Sequence, residues 1–350
     1  QQEVTENFMG IIIAILLFGF IVFFHELGHF LVAQKNGITV HEFWIGMGPT
    51  LVHKQVGATD YCLKLLPLGG ACVMGEDDAE DMSEGSFNSK SPWRRLSVIV
   101  AGPFFNFILA FLCAVIFIAC VGFDKPVINR VSEGTPAAEA GLESGDVIVK
   151  LNNKSIHIFR EISLYNQFHQ GEATEVTYER DGVRHTVLLT PQKDESGYYI
   201  FGIVSGGYEK GNVFEVLKYG VYEVKYWIDM TLESLGQLLT RAVGVDQLSG
   251  PVGVVSAVDE TYQQSKSDGV YYVFLNMLRI AILLSANLGV MNLLPIPALD
   301  GGRALFLVIE LIRGKRVPPE KEGYVHLAGM VCLLLLMAFV MFNDIKRIFF

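Results

Sequence analysis

Four stretches of the chain stay apolar for long enough to cross a bilayer, and the segments between them differ sharply in character. Phe8–Phe24 is 17 residues without a charge, and the apolar pattern resumes after His29. Taken as residues 8–33, this stretch can span a hydrocarbon core of about 30 Å as one helix. Residues 96–121 form a second uncharged run, preceded by Arg94 and Arg95. Residues 270–302 hold a third apolar stretch, broken by Arg279 near one end and ending in Asp300-Gly301-Gly302, and residues 325–342 a fourth, preceded by Arg313, Lys315, Arg316 and Lys321. A secretory signal peptide is the simple alternative for the first run. The run lacks a basic leading segment and carries a polar motif within it, so it is expected to be a membrane helix.

The intervening segments follow other periods. In residues 37–75, Ile38, Val40, Phe43 and Ile45 and then Tyr61–Leu66 predict short strands, separated by Gly46, Gly48-Pro49 and Gly57. Residues 122–205 have an ordinary soluble composition. Residues 206–269 include a stretch, 212–245, with apolar residues at helical spacing and aromatic side chains at Tyr219, Tyr222, Tyr226 and Trp227. That stretch is read either as a helix packed on the preceding domain or as an interfacial gate. The basic residues beside spans two and four place loops 34–95 and 303–323 on the cytoplasmic side. Both termini and the insert 122–269 then lie outside, although Lys346 and Arg347 pull weakly the other way.

Composition sharpens this division. Of the 350 residues, 51% are hydrophobic and 18% charged, with a formal net charge of −10. An average soluble chain carries about 25% charged residues. Residues 124–270 alone hold 21 acidic residues against 13 basic ones. A single homogeneous soluble domain is excluded, and a nucleic-acid partner is not expected, because phosphate contacts need clustered Lys and Arg. Cys113, Cys120 and Cys332 lie in apolar runs, while Cys62 and Cys72 have no Cys-x-x-Cys partner, so structural thiols are expected rather than a disulfide scaffold. The acid-rich stretch Glu76–Glu84 reads as a solvated loop.

The chemistry lies where charge is expensive. His25-Glu26-Leu27-Gly28-His29 falls within the first span. Positions i and i+4 share a helix face, so both imidazoles can point at one metal, with Glu26 placed to reach a water bound there. An ionisable group within a span costs roughly 2.5 kcal/mol or more and is functional by default. The alternative is interfacial snorkelling, which does not require this spacing. A catalytic zinc needs a third protein ligand. His41, His53, His157, His169, His185 and His326 lie outside the spans or at a span's edge and are poor candidates. Asp300 is better: it follows Asn292-Leu-Leu-Pro295-Ile-Pro297-Ala-Leu299, whose prolines end the helix, and Gly301-Gly302 is expected to let the chain turn. His25 lies about 17 residues, roughly 25 Å, into span one and so near its cytoplasmic end, and Asp300 ends a span that also runs from outside to inside, which puts the two at similar depth. The competing reading makes Asp300 the cap of a helix over 303–313.

Taken together, these motifs resemble the bacterial site-2 proteases, intramembrane zinc metalloproteases of the regulator-of-sigma-E-protease type. The resemblance covers the chain and includes Ala101-Gly102-Pro103-x-x-Asn106 and Leu66-Pro67-Leu68-Gly69-Gly70. It also includes an insert whose Thr135-Pro136-Ala-Ala-Glu-Ala-Gly141-Leu and Gly145-Asp146 are similar to a single PDZ domain. It implies a polytopic α-helical membrane protein with about four transmembrane helices, a membrane-associated β-hairpin region and one inserted α/β PDZ domain. It further implies Zn2+ held by His25, His29 and Asp300, with Glu26 as the catalytic glutamate and Asn292 assisting at the oxyanion. Leu68, Gly69, Gly70 and Asn106 are expected on the substrate side, the specific role of Asn106 being open.

The implied partners are single-pass transmembrane proteins in the lipid bilayer of the bacterial inner membrane. Examples are anti-sigma factors or remnant signal peptides, cut first outside by an upstream site-1 protease. The PDZ domain would dock partners or filter substrates by size. The rival readings are a catalytically inactive PDZ-bearing scaffold and a metal transporter. The first leaves Glu26 without a purpose, and the second lacks a polar path across the spans.

Overall fold

The computed structural model describes residues 2–75, 81–240, 244 and 248–349, with the backbone alone for 2–8, 67, 68, 348 and 349. Residues 76–80 of the predicted acidic loop therefore lie outside the described residues. In chain order the elements are α1 (Gln2–Lys35), β1 (Glu42–Val56), β2 (Thr59–Val73), α2 (Pro92–Val121), β3 (Ile128–Val131), α3 (Pro136–Glu139), β4 (Val147–Leu151) and β5 (Lys154–Ser155). Then follow α4 (Arg160–Phe168), β6 (Thr174–Arg180), β7 (Val183–Leu189), β8 (Gln192–Lys193), β9 (Tyr199–Ile200), β10 (Ile203–Ser205), α5 (Val213–Leu239), α6 (Pro251–Lys266), α7 (Val270–Leu293), α8 (Asp300–Arg313) and α9 (Pro319–Phe349). The chain divides into two compact units, residues 1–113 with 235–350, and residues 114–234.

The first unit contains the membrane helices, apart from the last eight residues of α2. Met9–Lys35, Pro92–Val121, Val270–Leu293 and Pro319–Arg347 are long and apolar enough to cross a membrane. Two limits differ from expectation. The second helix begins at Pro92 and takes in Arg94 and Arg95, because Arg95 is buried against Glu310 of α8 at 2.5 Å and does not need water. The third span ends at Leu293, and residues 300–302 belong to a separate helix, α8, because the prolines cannot continue the ladder.

Small residues set how closely these helices approach. A Cβ at Gly28 of α1 would stand 2.5 Å from the Ala101 carbonyl of α2, and one at Gly289 of α7 would meet the Phe107 ring at 2.8 Å. The Ser285 hydroxyl of α7 donates to the Asn106 carbonyl of α2 at 2.8 Å, a polar tie between two apolar helices. Asp344, buried in α9, accepts from the backbone N–H groups of Gly250 and Gly253 at 2.9 and 2.8 Å and so caps α6 from another helix. This accounts for the small residues of Ser249-Gly250-Pro251-Val252-Gly253: a Cβ at either glycine would press on that carboxylate.

Residues 42–73 fold as one antiparallel hairpin of two 15-residue strands, longer than the short strands expected. Gly46 and Gly48 bend β1 from within, at φ +90° and +86°, instead of ending it, and Gly57 makes the turn at φ +63°. Trp44 lies opposite both Cys62 and Ala71, and Ile45 opposite both Leu63 and Gly70, so the start of β1 is flanked on two sides. Ile38 and Val40 precede the strand and are buried with Phe30, Phe43 and Phe87.

The second unit carries a four-stranded sheet in the order β5-β4-β6-β7 and a two-stranded one, β10-β3, around a core that includes Ile128, Ala137, Ile148, Leu151, Val176 and Phe201. Ala137 of α3 is fully buried, and Gly145, at φ +98°, turns the chain into β4 as the PDZ-type pattern predicts. Helix α5 packs on this unit. The Tyr219 ring stacks on Phe123 at 3.9 Å, and Glu223 pairs with Arg160, which also bonds Asp124. Trp227 donates to Glu223 at 3.0 Å, and Lys225 donates to Glu161 at 2.9 Å. Burial pushes the Asp124 carboxyl up, and Arg160 only partly offsets this. Burial presses the Lys225 ammonium down, but its bonds to Asp229 and Glu161 outweigh that and hold it above the usual lysine range. None of the five cysteines forms a disulfide.

Candidate metal centre

The site grows from one turn of α1. The four-residue spacing brings the His25 and His29 rings to 4.8 Å, nearly perpendicular at 83°, with their Nε2 atoms 3.2 Å apart. Both are buried, at 7% and 6% exposure, deep enough that two imidazoles facing each other need a shared partner. Asp300 supplies a third donor. Its Oδ2 stands 3.1 Å from His25 Nε2 and 3.3 Å from His29 Nε2. No Lys or Arg pairs with this carboxylate among the ion pairs of the described residues. These are the only three or more His, Cys, Asp or Glu side chains among the described residues whose ligand atoms converge in this way.

The three edges, 3.1, 3.2 and 3.3 Å, match one face of a tetrahedron. Ligand bonds of about 2.0 Å around zinc imply edges of about 3.3 Å. Space is also left at the donors. A Cβ on Gly102 of α2 would overlap His29 Nε2 and lie 2.8 Å from His25 Cε1, so only glycine leaves this position clear. The donor set, its spacing and the cleared space all fit a zinc ion.

Outer partners fix the rings. The His29 Nδ1 donates to the Val98 carbonyl at 2.9 Å, which leaves Nε2 as the lone-pair donor to a metal. His25 Nδ1 lies 3.2 Å from the side-chain amide of Asn106, which is fully buried, while Asn106 Oδ1 has no hydrogen-bond partner. With that amide turned over, Oδ1 accepts from His25 Nδ1–H and both groups are satisfied. Asn106, expected on the substrate side, thus stands behind His25.

Asp300 reaches the histidines through an unusual turn. It is the first residue of α8 and makes no side-chain cap, so the capping role does not apply; Leu299 occupies the N-cap position. Gly301 and Gly302 have ordinary helical backbone, contrary to the flexible turn expected of them. They are glycines because a Cβ on Gly301 would overlap the Leu294 carbonyl and one on Gly302 the Ile296 carbonyl. The left-handed residue is Ala298, at φ +74°, a conformation costing an L-residue of order 1–3 kcal/mol. Its backbone N–H donates to Nδ1 of His326 in α9 at 2.9 Å. His326 was dismissed as a ligand by its position in the sequence, and nothing in the sequence alone signals this contact.

Glu26, half-buried, accepts from the Cys72 backbone of β2. Gly70 adjoins it: a Cβ there would stand 3.0 Å from Glu26 Cγ and 3.4 Å from Val22 Cγ1. Gly69, at φ +80°, faces Met47 instead, and the side chain of Leu68 lies outside the described residues. Asn292 is half-buried in the last turn of α7. A cavity of about 500 Å³ is lined by Arg95, Arg303, Glu310, Glu322, His326 and Ala298, among others, but by none of the three converging donors. It neighbours the site without being the site.

Comparison with known proteins agrees with this geometry. Residues 13–336 match peptidase family M50. The chain is 33% identical to the zinc metalloprotease RasP of Bacillus licheniformis, over 97% of this chain and 100% of that protein. It is 32% identical to the regulator of sigma-W protease RasP of Bacillus subtilis, over 98% and 100% of the two chains. Part of the chain (25%) is similar to the PDZ domain of an SdrC-like protein from Listeria monocytogenes, over 92% of that domain, at 20% identity and a TM-score of 0.22. The converging His25, His29 and Asp300 therefore occur in a multi-pass zinc metalloprotease: the chain belongs to peptidase family M50, the site-2 proteases.

Proposed function

We propose that this protein is an intramembrane endopeptidase that hydrolyses peptide bonds within the transmembrane segments of single-pass proteins. The observation that carries the reading is the convergence of three ligand atoms within 3.3 Å, two of them on a helix apolar enough to span a membrane, with Glu26 one residue from a ligand. His25, His29 and Asp300 hold zinc. When bound, zinc acidifies water and polarises the scissile carbonyl.

The remaining work belongs to the chain's own residues. Glu26 takes a proton from the attacking water and returns it to the leaving amine. The Cys72 backbone N–H steadies its carboxylate for that exchange. Asn292 donates its amide to the developing oxyanion. Asn106 and the Val98 carbonyl keep His25 and His29 in the tautomer that presents Nε2. A helical substrate must be unwound first, and freed backbone groups in lipid need replacement partners. Residues 70–73, beside Glu26, offer strand backbone for an extended substrate to pair with. Gly70 keeps that approach clear.

Residues 122–205 serve as an extracytoplasmic PDZ domain that docks partners or excludes bulky ectodomains, with the active site near the cytoplasmic face of the inner membrane. The relative named regulator of sigma-W protease supports substrates of the anti-sigma class. The test is cleavage of a single-pass substrate by purified full-length protein and by Glu26→Gln. The variant is expected to retain one zinc and lose about 10²–10⁴-fold in rate. Undiminished cleavage by the variant refutes the mechanism, and a scaffold role is the outcome if neither protein cleaves.

A further inference from the structure

The histidine of the fourth membrane helix has no place in the mechanism above, yet it contacts the turn that presents a metal ligand. We infer that His326 is a positioning residue for Asp300: it holds the Ala298 turn in its left-handed conformation and so fixes where the carboxylate points. The inference rests on the reading of Asp300 as a zinc ligand.

Three observations converge on it. Ala298, two residues before Asp300, has φ +74°, a conformation that is strained for an alanine and persists only where its surroundings hold it. Its N–H donates to His326 Nδ1 at 2.9 Å, so α9 adds a restraint to the turn's own bond, from the Leu299 N–H to the Ile296 carbonyl at 3.2 Å. One helical turn further along α9, Gly329 lets the helix lie against Pro297, where any Cβ would overlap the proline. Asp300 itself makes no capping bond that would hold it independently. The first helical turns of α8 add a ring contact between Phe306 and His326 at 5.5 Å. The fourth helix is therefore a buttress for the third ligand, while α1 supplies the first two.

The physical consequence is specific. Without the acceptor at His326, an alanine at 298 is expected to relax toward negative φ, and Asp300 swings away from His25 and His29. Glycine at 298 holds positive φ at no steric cost and needs no restraint. The experiment measures zinc affinity of the full-length protein in detergent by competition with a chromophoric chelator, together with the absorption spectrum of the cobalt-substituted form. His326→Leu keeps bulk against Phe306 but removes the acceptor. It is expected to lower zinc affinity about 10- to 100-fold, the range for loss of an outer-shell partner, and to distort the cobalt spectrum. Adding Ala298→Gly to His326→Leu should restore most of the affinity, and His326→Gln, which keeps an acceptor, should lose less than His326→Leu.

A packing role for His326 predicts no rescue by glycine, which if anything loosens the chain. Unchanged affinity in His326→Leu overturns the inference, as does a loss that Ala298→Gly fails to restore. If His326→Leu does not fold, the same decision falls to His326→Gln with and without Ala298→Gly. Failure of the parent protein to bind zinc at all would instead refute the ligand assignment.

Discussion

Both units bury charge, and the candidate metal centre does so differently from the insert. In residues 114–234 each deeply buried acid meets a cation: Glu223 and Asp124 meet Arg160, Glu161 meets Lys225, and Asp146 meets Arg180. In the membrane unit Arg95 and Glu310 pair in the same way, but at the candidate metal centre Asp300 meets two imidazole nitrogens, and Glu26 meets a backbone N–H. A buried charge already paired with its opposite is part of the fold. A buried carboxylate converging with two histidines, with no Lys or Arg paired to it among the described residues, is arranged to bind a cation. This difference separates structural charge from chemical charge more surely than burial alone.

The sharpest way to break the comparison is to remove a donor from the membrane site. His25→Ala and Asp300→Ala should each abolish stoichiometric zinc, measured by elemental analysis, without lowering the melting transition of the insert. Retained zinc in either would refute the convergence argument. Gly102→Ala, which changes no donor, should reduce zinc occupancy nearly as far, because the added methyl group overlaps His29 Nε2. The reverse pattern is expected in the insert. Glu223→Ala leaves the Arg160 guanidinium without its main partner in a buried setting, a change that typically costs about 3–5 kcal/mol. Denaturant titration followed by Trp227 fluorescence should register that loss while zinc content stays unchanged.

Acid sharpens the same contrast. Burial works to raise the Asp146 carboxyl, but two bonds from Arg180 outweigh it and hold the group below its ordinary range. Its stabilising effect is therefore present above an unfolded-state value of about 3.9 and is lost as pH falls through the lower folded-state value. Asp146→Asn should flatten that part of the insert's pH–stability curve, and an unaltered curve would show that the Arg180 fork contributes nothing. The smallest effect is expected at Ser285→Ala, where one hydrogen bond between α7 and α2 is lost, at about 1 kcal/mol.

Much of the site was legible because its constraints are local. His25-Glu26-x-x-His29 needs only helical periodicity to place two imidazoles together, and an apolar span makes their cost visible. Asp300 was legible by depth, since it and His25 both fall near the cytoplasmic end of spans expected to run from outside to inside. The roles of small residues were less so. Gly301 and Gly302 invite a reading as flexible turn residues, whereas they answer to carbonyl oxygens of the preceding loop, and the actual left-handed residue is an alanine. The hairpin was visible as alternation, but Gly46 and Gly48 look like strand ends until the pairing shows that the strand continues through them. Asn106 was placed with substrate because its motif says only that it matters, and its direction depends on which face of α2 meets α1.

What the sequence determined by itself is the class of molecule and the chemistry. Hydrophobic runs of bilayer length, an i, i+4 histidine pair with its glutamate, and one aspartate after a proline-broken span follow from periodicity and from the cost of charge in lipid. Only the tertiary structure decided what holds those groups in register. The Asn106 amide behind His25, the vacancy left by Gly102 and the bond from Ala298 to His326 each join residues far apart in the chain. Contacts of that kind arise from helix packing, where close approach is set by the absence of a side chain as often as by its presence, and a missing Cβ carries no label in a sequence.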